Sequence, residues 1–301
     1  MLCKEIMIII LLLYALLAAT FSLGKALVLL MHPLFVIGIR MLTAGALLLL
    51  AYGMFHTKKR IEAKDVLLLG LTSFIHILIP YLSEFAALRD ISPSDACLAY
   101  NLSPFFSALF SYWIFKEYMT AKKWLGFGMA LASLLVYLWY QHALHVHLSW
   151  SYVWILISVM SSCLGWILVR ILVKNRGYSP FLVNGICMLI AGFGSMGYGL
   201  ITHETTFLLG TLQSSWFWFL MSLSIIIANG LFYNMYGYLL KKYTATFLSF
   251  VGFITPLFAS LFEWLLFGTI PASSFFICLG FIAGGIYIFY QEELKQGYIA
   301  Q

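Results

Sequence analysis

Six ionisable side chains fall inside stretches otherwise built of apolar residues: Lys25, Arg40, His76, Glu84, Arg170 and Glu263. Charge in such surroundings is costly, and where it persists it faces a partner, a wet cavity or the interior of a helix bundle. Arg40, in PLFVIGIRMLTAG, can act as a fixed ion pair or as a bidentate clamp on a carboxylate or phosphate. Glu84 and Glu263 can hold a cationic group, take up a proton, or pair with Arg40 or Arg89. His76, in TSFIHILIP, is either a satisfied core group or a proton relay, and with Glu263 it is a candidate for ion coupling. Asn101, Asn184 and Asn229 can bridge helices or present donors and acceptors to a ligand. Tyr81, Tyr100, Tyr233 and Tyr236 flank these polar positions, and inward rings beside a carboxylate suit a cationic or aromatic solute. Lys25 and Arg170 stand near the ends of their apolar runs and are expected to snorkel to the surface. Glu117 lies among Lys116, Lys122 and Lys123 and is expected to pair with those lysines.

The chain carries no HExxH, no GxSxG, no phosphate-binding loop and no close pair of carboxylates, so the reading is not an enzyme. An intramembrane enzyme is the remaining alternative class. His142, His145 and His147 have no acidic or cysteine residue beside them, and Cys3, Cys97, Cys163, Cys187 and Cys278 are scattered without CxxC spacing. Neither set makes a metal or disulfide framework, and no metal or cofactor is expected.

The elements that position these groups are membrane spans. Of 301 residues, 63% are hydrophobic and 9% charged, too few charges for the surface of a water-soluble domain. Apolar runs of about 20 residues, each able to cross the hydrocarbon core as a helix, recur at 6–29, 33–54, 65–88, 93–115, 121–140, 149–173, 178–201, 214–239, 244–267 and 272–291. The first is too long for a secretion-signal core and is read as part of the mature fold. Thirteen Lys and Arg residues fall at the N-terminus, the even-numbered loops and the C-terminus, against only Lys25 and Arg89 on the other side. Both termini are therefore expected to be cytoplasmic, in a bacterial inner membrane. These charges are spread over six segments, not gathered into one basic surface, so nucleic acid is not an expected partner.

The chain is also written twice. Residues 33–45 and 180–192 share eight of 13 positions, including Pro33/Pro180, Gly38/Gly185 and Gly45/Gly192. SPFFSALFSYWIF at Ser103 answers TPLFASLFEWLLF at Thr255, pairing Pro104 with Pro256 and Gly128 with Gly280; Tyr81 and Tyr233 correspond at the same spacing. Each half then holds five spans, and an odd number makes the second half enter the bilayer inverted, a design in which a central site opens to alternate sides. The expected fold is an all-α integral membrane protein of ten helices in two inverted five-helix repeats, 1–141 and 149–291, with a short tail at 292–301. Pro80, Pro104 and Pro256 are expected to kink their spans as hinges or gates. Gly280–Gly284 and its counterpart Gly128–Ala132 form small-residue faces for packing within the chain or between two copies, so the chain is expected to be a monomer or a homodimer.

From Ala86 to Leu138 the chain has an Ala-Leu pair closing span 3, a small-residue entry to span 4, Pro104, an FKE turn ending in Glu117, and Gly126 and Gly128 in span 5. With Arg40 in span 2, this resembles the drug/metabolite transporter superfamily in its ten-span EamA-type branch, over nearly the whole chain. The second half departs from that pattern, carrying FGTIP at 267–271 and a carboxylate, Glu263, one turn earlier. The resemblance implies secondary transport by alternating access. Arg40, Glu84, Asn101, Asn229 and Glu263, with the four tyrosines, are the expected lining of a midplane site. Together they suit a small solute that is an amino acid or an amino-acid-derived zwitterion or cation, including one like S-adenosylmethionine. An exporter or exchanger of an anionic or drug-like metabolite is the alternative.

Overall fold

A computed structural model describes residues 2–55, 59–91, 96–97, 99–140, 150–202, 211–258, 261 and 273–298. Those residues form helices and no strand, as expected where no water is available to satisfy the edge of an open sheet. The helical segments, in order, are α1 (Leu2–Leu30), α2 (Pro33–Phe55), α3 (Ala63–Leu88), α4 (Tyr100–Leu102, then Ser103–Phe115), α5 (Ala121–Tyr140), α6 (Trp150–Asn175), α7 (Pro180–Ile201), α8 (Ser215–Leu239), α9 (Ala245–Phe258) and α10 (Ser273–Lys295). Seven of them, α1, α2, α3, α6, α7, α8 and α10, are long and apolar enough to cross a membrane.

Local chemistry explains the boundaries. Pro33 and Pro180 open α2 and α7 at the position where a missing N–H costs nothing. Gly177, at φ 68°, turns the chain between α6 and α7 in the left-handed region that glycine enters freely. The three hinge-candidate prolines do not bend the middle of regular helices. Pro80 follows a π-helical turn at Ser73–Leu78, and Pro104 and Pro256 each follow a 3₁₀ turn, Tyr100–Leu102 and Gly252–Ile254. Each lies where the helix changes pitch. Of the two other π-helical turns among the described residues, Ile171–Asn175 ends α6 and Ile225–Phe232 lies in α8; the turns of α3 and α8 are found at matching places ahead of Tyr81 and Tyr233.

Apolar side chains gain little from leaving lipid for one another, so helix pairs in a membrane are held by close packing and hydrogen bonds. The most extensive approach joins α2 to α7. A methyl group added at Gly45 would lie 2.8 Å from the Gly185 carbonyl oxygen and 2.9 Å from Leu189, and one at Gly192 would lie 2.8 Å from the Leu42 nitrogen. One at Gly38 would meet Met196 at 3.0 Å, and one at Gly185 would meet Leu49 at 2.8 Å. Exchanging each residue for its repeat mate turns the Gly45–Leu189 contact into Gly192–Leu42 and the Gly38–Met196 contact into Gly185–Leu49. Likewise α5 packs on α10, α4 on α9, α3 on α6 and α1 on α8.

The small-residue face expected at Gly128, Gly280 and Gly284 is not the seam between α5 and α10, because nothing lies within 4 Å of a methyl placed at any of the three. The seam runs one face over, through Gly126 and Gly285, where an added methyl would come within 2.7 and 2.5 Å of the opposite carbonyl oxygen. Gly126→Ala or Gly285→Ala is therefore expected to destabilise the protein by about 1–3 kcal/mol through overpacking, whereas Gly128→Ala leaves it unchanged. Thermal unfolding in detergent measures the difference, and equal midpoints for the three variants would refute this seam.

Candidate functional site

The π-turn of α8 shapes one wall of the central cavity. Its irregular pitch leaves backbone carbonyls without their usual partners, and Asn234 supplies them, donating from Nδ2 to the Asn229 and Gly230 carbonyl oxygens at 3.0 and 2.9 Å. Asn184 of α7 braces the same region, donating to the Tyr233 carbonyl at 3.1 Å. Thus supported, Asn229 turns its side chain toward α2, where its Oδ1 accepts from Arg40 Nε at 2.7 Å. Arg40 Nη2 donates to the Tyr81 hydroxyl at 2.8 Å, and the guanidinium carbon lies 4.6 Å from the Tyr81 ring centre. Arg40 is 1% exposed, yet among the described residues no carboxylate lies within ion-pair distance of it. Neutral groups hold the cation.

The π-turn of α3 does similar work on the facing wall. Pro80 has no N–H to give, and the Ile75 carbonyl receives the Ser161 hydroxyl of α6 instead, at 2.6 Å. One turn after Pro80, Glu84 is buried and accepts from the Tyr100 hydroxyl at 2.8 Å. That hydroxyl also lies 3.0 Å from Ser158 Oγ, which donates to the Pro80 carbonyl at 2.8 Å. The carboxylate is thus fixed by a neutral hydroxyl, as the guanidinium is.

Arg40, Pro80, Tyr81, Glu84, Tyr100, Asn101, Tyr233 and Tyr236 line one cavity enclosing about 910 Å³ of atom-free space, part of it open to the exterior. The Asn101 amide nitrogen is buried without a hydrogen-bond partner, a donor left for something not otherwise present in the protein. Asn229 stands behind the cavity wall as the holder of Arg40. The remaining walls are rings that sequence reasoning did not single out: Tyr14, Phe21, Trp166 and Phe232. Trp166 stacks on Tyr236 with centres 4.0 Å apart, and Tyr81 is stacked with Tyr233 at 6.2 Å. The sequence does carry a signal that reasoning passed over, the small polar run Ser161-Ser162-Cys163 just ahead of Trp166 in an apolar span; Ser162 and Cys163 line the cavity too.

Other expected residues fall elsewhere. His76 does not line the cavity; it packs behind the wall, its ring 4.2 Å from Trp166 and 5.2 Å from Tyr233, with neither ring nitrogen hydrogen-bonded. Pro104 and Pro256 are near the cavity in sequence, next to its lining residues Ser103 and Thr255, without lining it themselves. Glu263 and the three loop histidines lie outside the described residues. Lys25 reaches the end of α3, donating to the Leu88, Arg89 and Ile91 carbonyls, a favourable place for a cation at a helix C-terminus.

Two expectations need correction at the lysine-rich end. Glu117 does not pair with Lys116, Lys122 or Lys123, and Arg170 does not snorkel: they bond each other at 2.7 Å, both buried, with Arg170 over the Phe115 ring at 4.5 Å. The reason is that α6 brings its last turn against the α4–α5 connection, so the nearest cation in space is distant in sequence. Lys123 is also buried, and bonds Glu293 of α10 at 2.5 Å, whose second oxygen accepts from Thr244 at 2.6 Å. The first pair joins α6 to the α4–α5 connection and the second joins α5 to α10.

The EamA-like transporter family model matches residues 5–139 and again 149–291. A protein of Chlamydia muridarum named as an S-adenosylmethionine/S-adenosylhomocysteine transporter is 33% identical over 294 residues, covering 94% of this chain and 90% of the relative. A Chlamydia trachomatis serovar D protein of the same name is 32% identical, covering 94% and 88%. One solved structure, titled only as the crystal structure of a protein, superposes with TM-score 0.67 at 18% identity over 93% of both chains, which speaks to the fold alone. An all-helical membrane architecture, a buried charged cavity and a family match over both halves lead to one conclusion: this chain belongs to the EamA-like transporter family.

Proposed function

We propose that this transporter exchanges S-adenosylmethionine for S-adenosylhomocysteine by alternating access, through the cavity between α1, α2, α3, α4, α6, α8 and α9. The observation that carries this reading is a buried guanidinium and a buried carboxylate in one aromatic-walled cavity, each held by neutral groups. Two oppositely charged groups so arranged fit the carboxylate and ammonium of an amino-acid zwitterion. The rings suit what remains, a purine and a sulfonium, by stacking and cation–π attraction. Methyl donation removes one methyl group and one positive charge from the sulfur, and rings that attract a sulfonium also pack against a thioether. Such a site accepts both members of the pair. The names of the chlamydial relatives point to the same pair.

Ten spans in two inverted halves fit the exchange of repeat mates across the α2–α7 contact and the matched π-turns of α3 and α8. Lysine and arginine placement supports termini facing the cytoplasm of a bacterial cell. In this arrangement the Glu117–Arg170 and Lys123–Glu293 pairs close the cytoplasmic end, and inward opening requires them to part. Pro80, Pro104 and Pro256, where helix pitch changes, are the places for the halves to flex. Glu263 stays a candidate for lining and coupling, and His76, packed on Trp166 and Tyr233, a candidate for coupling.

Radiolabelled S-adenosylmethionine is expected to enter proteoliposomes that are preloaded with S-adenosylhomocysteine. Arg40→Gln should weaken its uptake about tenfold or more, the worth of a charge-assisted hydrogen bond, while sparing an analogue that lacks the carboxylate; Glu84→Gln should instead penalise substrates bearing the ammonium. Uptake confined to phosphorylated solutes would overturn this site chemistry in favour of the anionic alternative. For the closed end, Glu293→Gln leaves Lys123 buried and unpaired, a cost of about 3–5 kcal/mol in the closed state. Cys97 and Cys163, both in the cavity lining, should then react several-fold faster with an impermeant thiol reagent applied from the cytoplasmic side. Unchanged labelling would deny these pairs a role as the inner gate.

A further inference from the structure

We infer that a groove at the lysine-rich end is a binding site for the phosphodiester headgroup of an anionic phospholipid. The groove lies at the start of α7 and the end of α8, lined among others by Lys59, Ser179, Pro180, Asn234, Tyr238 and Lys241. The acids of this corner are already engaged. Asp65 is bonded by Arg176 at 3.3 Å and by the Tyr178 hydroxyl at 2.9 Å, and Glu62 is bonded by Lys64 at 2.7 Å. Lys59 gives its ammonium to the Arg176 carbonyl and the face of Tyr178, and no carboxylate among the described residues pairs with Lys59 or Lys241. Two positive charges therefore remain uncompensated.

The wall between them is built to receive acceptor oxygens. Ser179 stands ahead of the first turn of α7 but does not cap it, and its hydroxyl oxygen is buried in the groove wall without a hydrogen-bond partner. The first amide groups of α7 lack intrahelical acceptors, as in any helix. Next to the groove, Phe55, one turn beyond the lining Tyr52 on α2, and Leu231, one turn before Asn234 on α8, are exposed apolar residues. A headgroup in the groove would have its acyl chains laid along those residues, which a free anion would not use. Basic pockets between helices near the membrane surface recognise anionic headgroups in this way.

The repeat supplies an internal control. A second groove, lined by His32, Pro33, Leu82, Ala86, Arg89 and Asp90 among others, holds the repeat mates of Ser179, Pro180, Asn234, Tyr238 and Lys241. It has the same shape of lining but not the same charge, since Asp90 stands beside Arg89 and takes the Ser151 hydroxyl at 2.7 Å. The lipid site is confined to the lysine-bearing groove.

Native mass spectrometry of the full-length chain, titrated with phosphatidylglycerol or with phosphatidylcholine of the same acyl chains, tests this. The wild-type protein should retain one phosphatidylglycerol selectively. Lys59→Gln/Lys241→Gln should weaken that binding roughly thirtyfold, about fivefold for each lysine near the surface, and Arg89→Gln should leave it unchanged. Millimolar inorganic phosphate should not displace the lipid. If the double variant does not fold, Lys241→Gln alone should still show its fivefold loss, because Lys241 is exposed. Equal retention by wild type and variant, or displacement of the lipid by inorganic phosphate, would overturn the proposal.

Discussion

The cavity depends on one interaction, the grip of Asn229 and Tyr81 on Arg40. A guanidinium inside a membrane needs acceptors, and a carboxylate in direct contact would neutralise it as well as hold it. An amide and a phenol hold it without cancelling the charge. Asn229 can do so only because α8 leaves regular α-helical pitch at Ile225–Phe232, and that departure is supported by Asn234 and Asn184. On the facing wall Glu84 is treated alike, bonded by Tyr100 with Ser158 behind it. Both charges are fixed in place and kept available.

The two ends of the protein are built on different principles. At the lysine-rich end, buried ion pairs join α6 to the α4–α5 connection and α5 to α10, and the aromatic rings of Phe115, Phe289 and Tyr298 cover their cations. At the other end, Lys25 bonds backbone carbonyls of α3, a contact that need not be exchanged for another carboxylate when helices shift. The pseudo-symmetric helix framework thus carries unsymmetric chemistry. Packing at Gly45 and Gly192 joins α2 to α7 through residues that repeat, while the charged groups of the cavity do not repeat.

Much of the cavity was legible in the amino-acid sequence, because polar groups inside apolar spans announce themselves by their cost. Arg40, Glu84, Asn101 and the four tyrosines were found that way, and they share one cavity. Trp166 and Phe232 were not singled out, since an aromatic residue in an apolar span looks the same facing lipid or facing a ligand. The partner of Glu117 was hidden for another reason. Lysines near in sequence are visible by eye, whereas Arg170 becomes a neighbour only once α6 is packed. Likewise, the spacing of Gly280 and Gly284 identifies a smooth face but not the rotation of the helix, and the face turned to the partner carries Gly285.

The π-turn in α8 has a consequence for sequence length. A π-turn holds one residue more than the α-helical turn it replaces, and it can be lost by deleting one residue. With 3.6 residues per turn, a return to α-helical pitch without that deletion rotates everything beyond it by about 100°. Tyr233 and Tyr236 would then leave the cavity wall, although every side chain of α8 remained. The rings that α8 presents to the cavity therefore depend on its pitch as much as on residue identity. A relative that aligns here with a single-residue gap keeps the same wall on a regular helix, where its aromatic residues are kept.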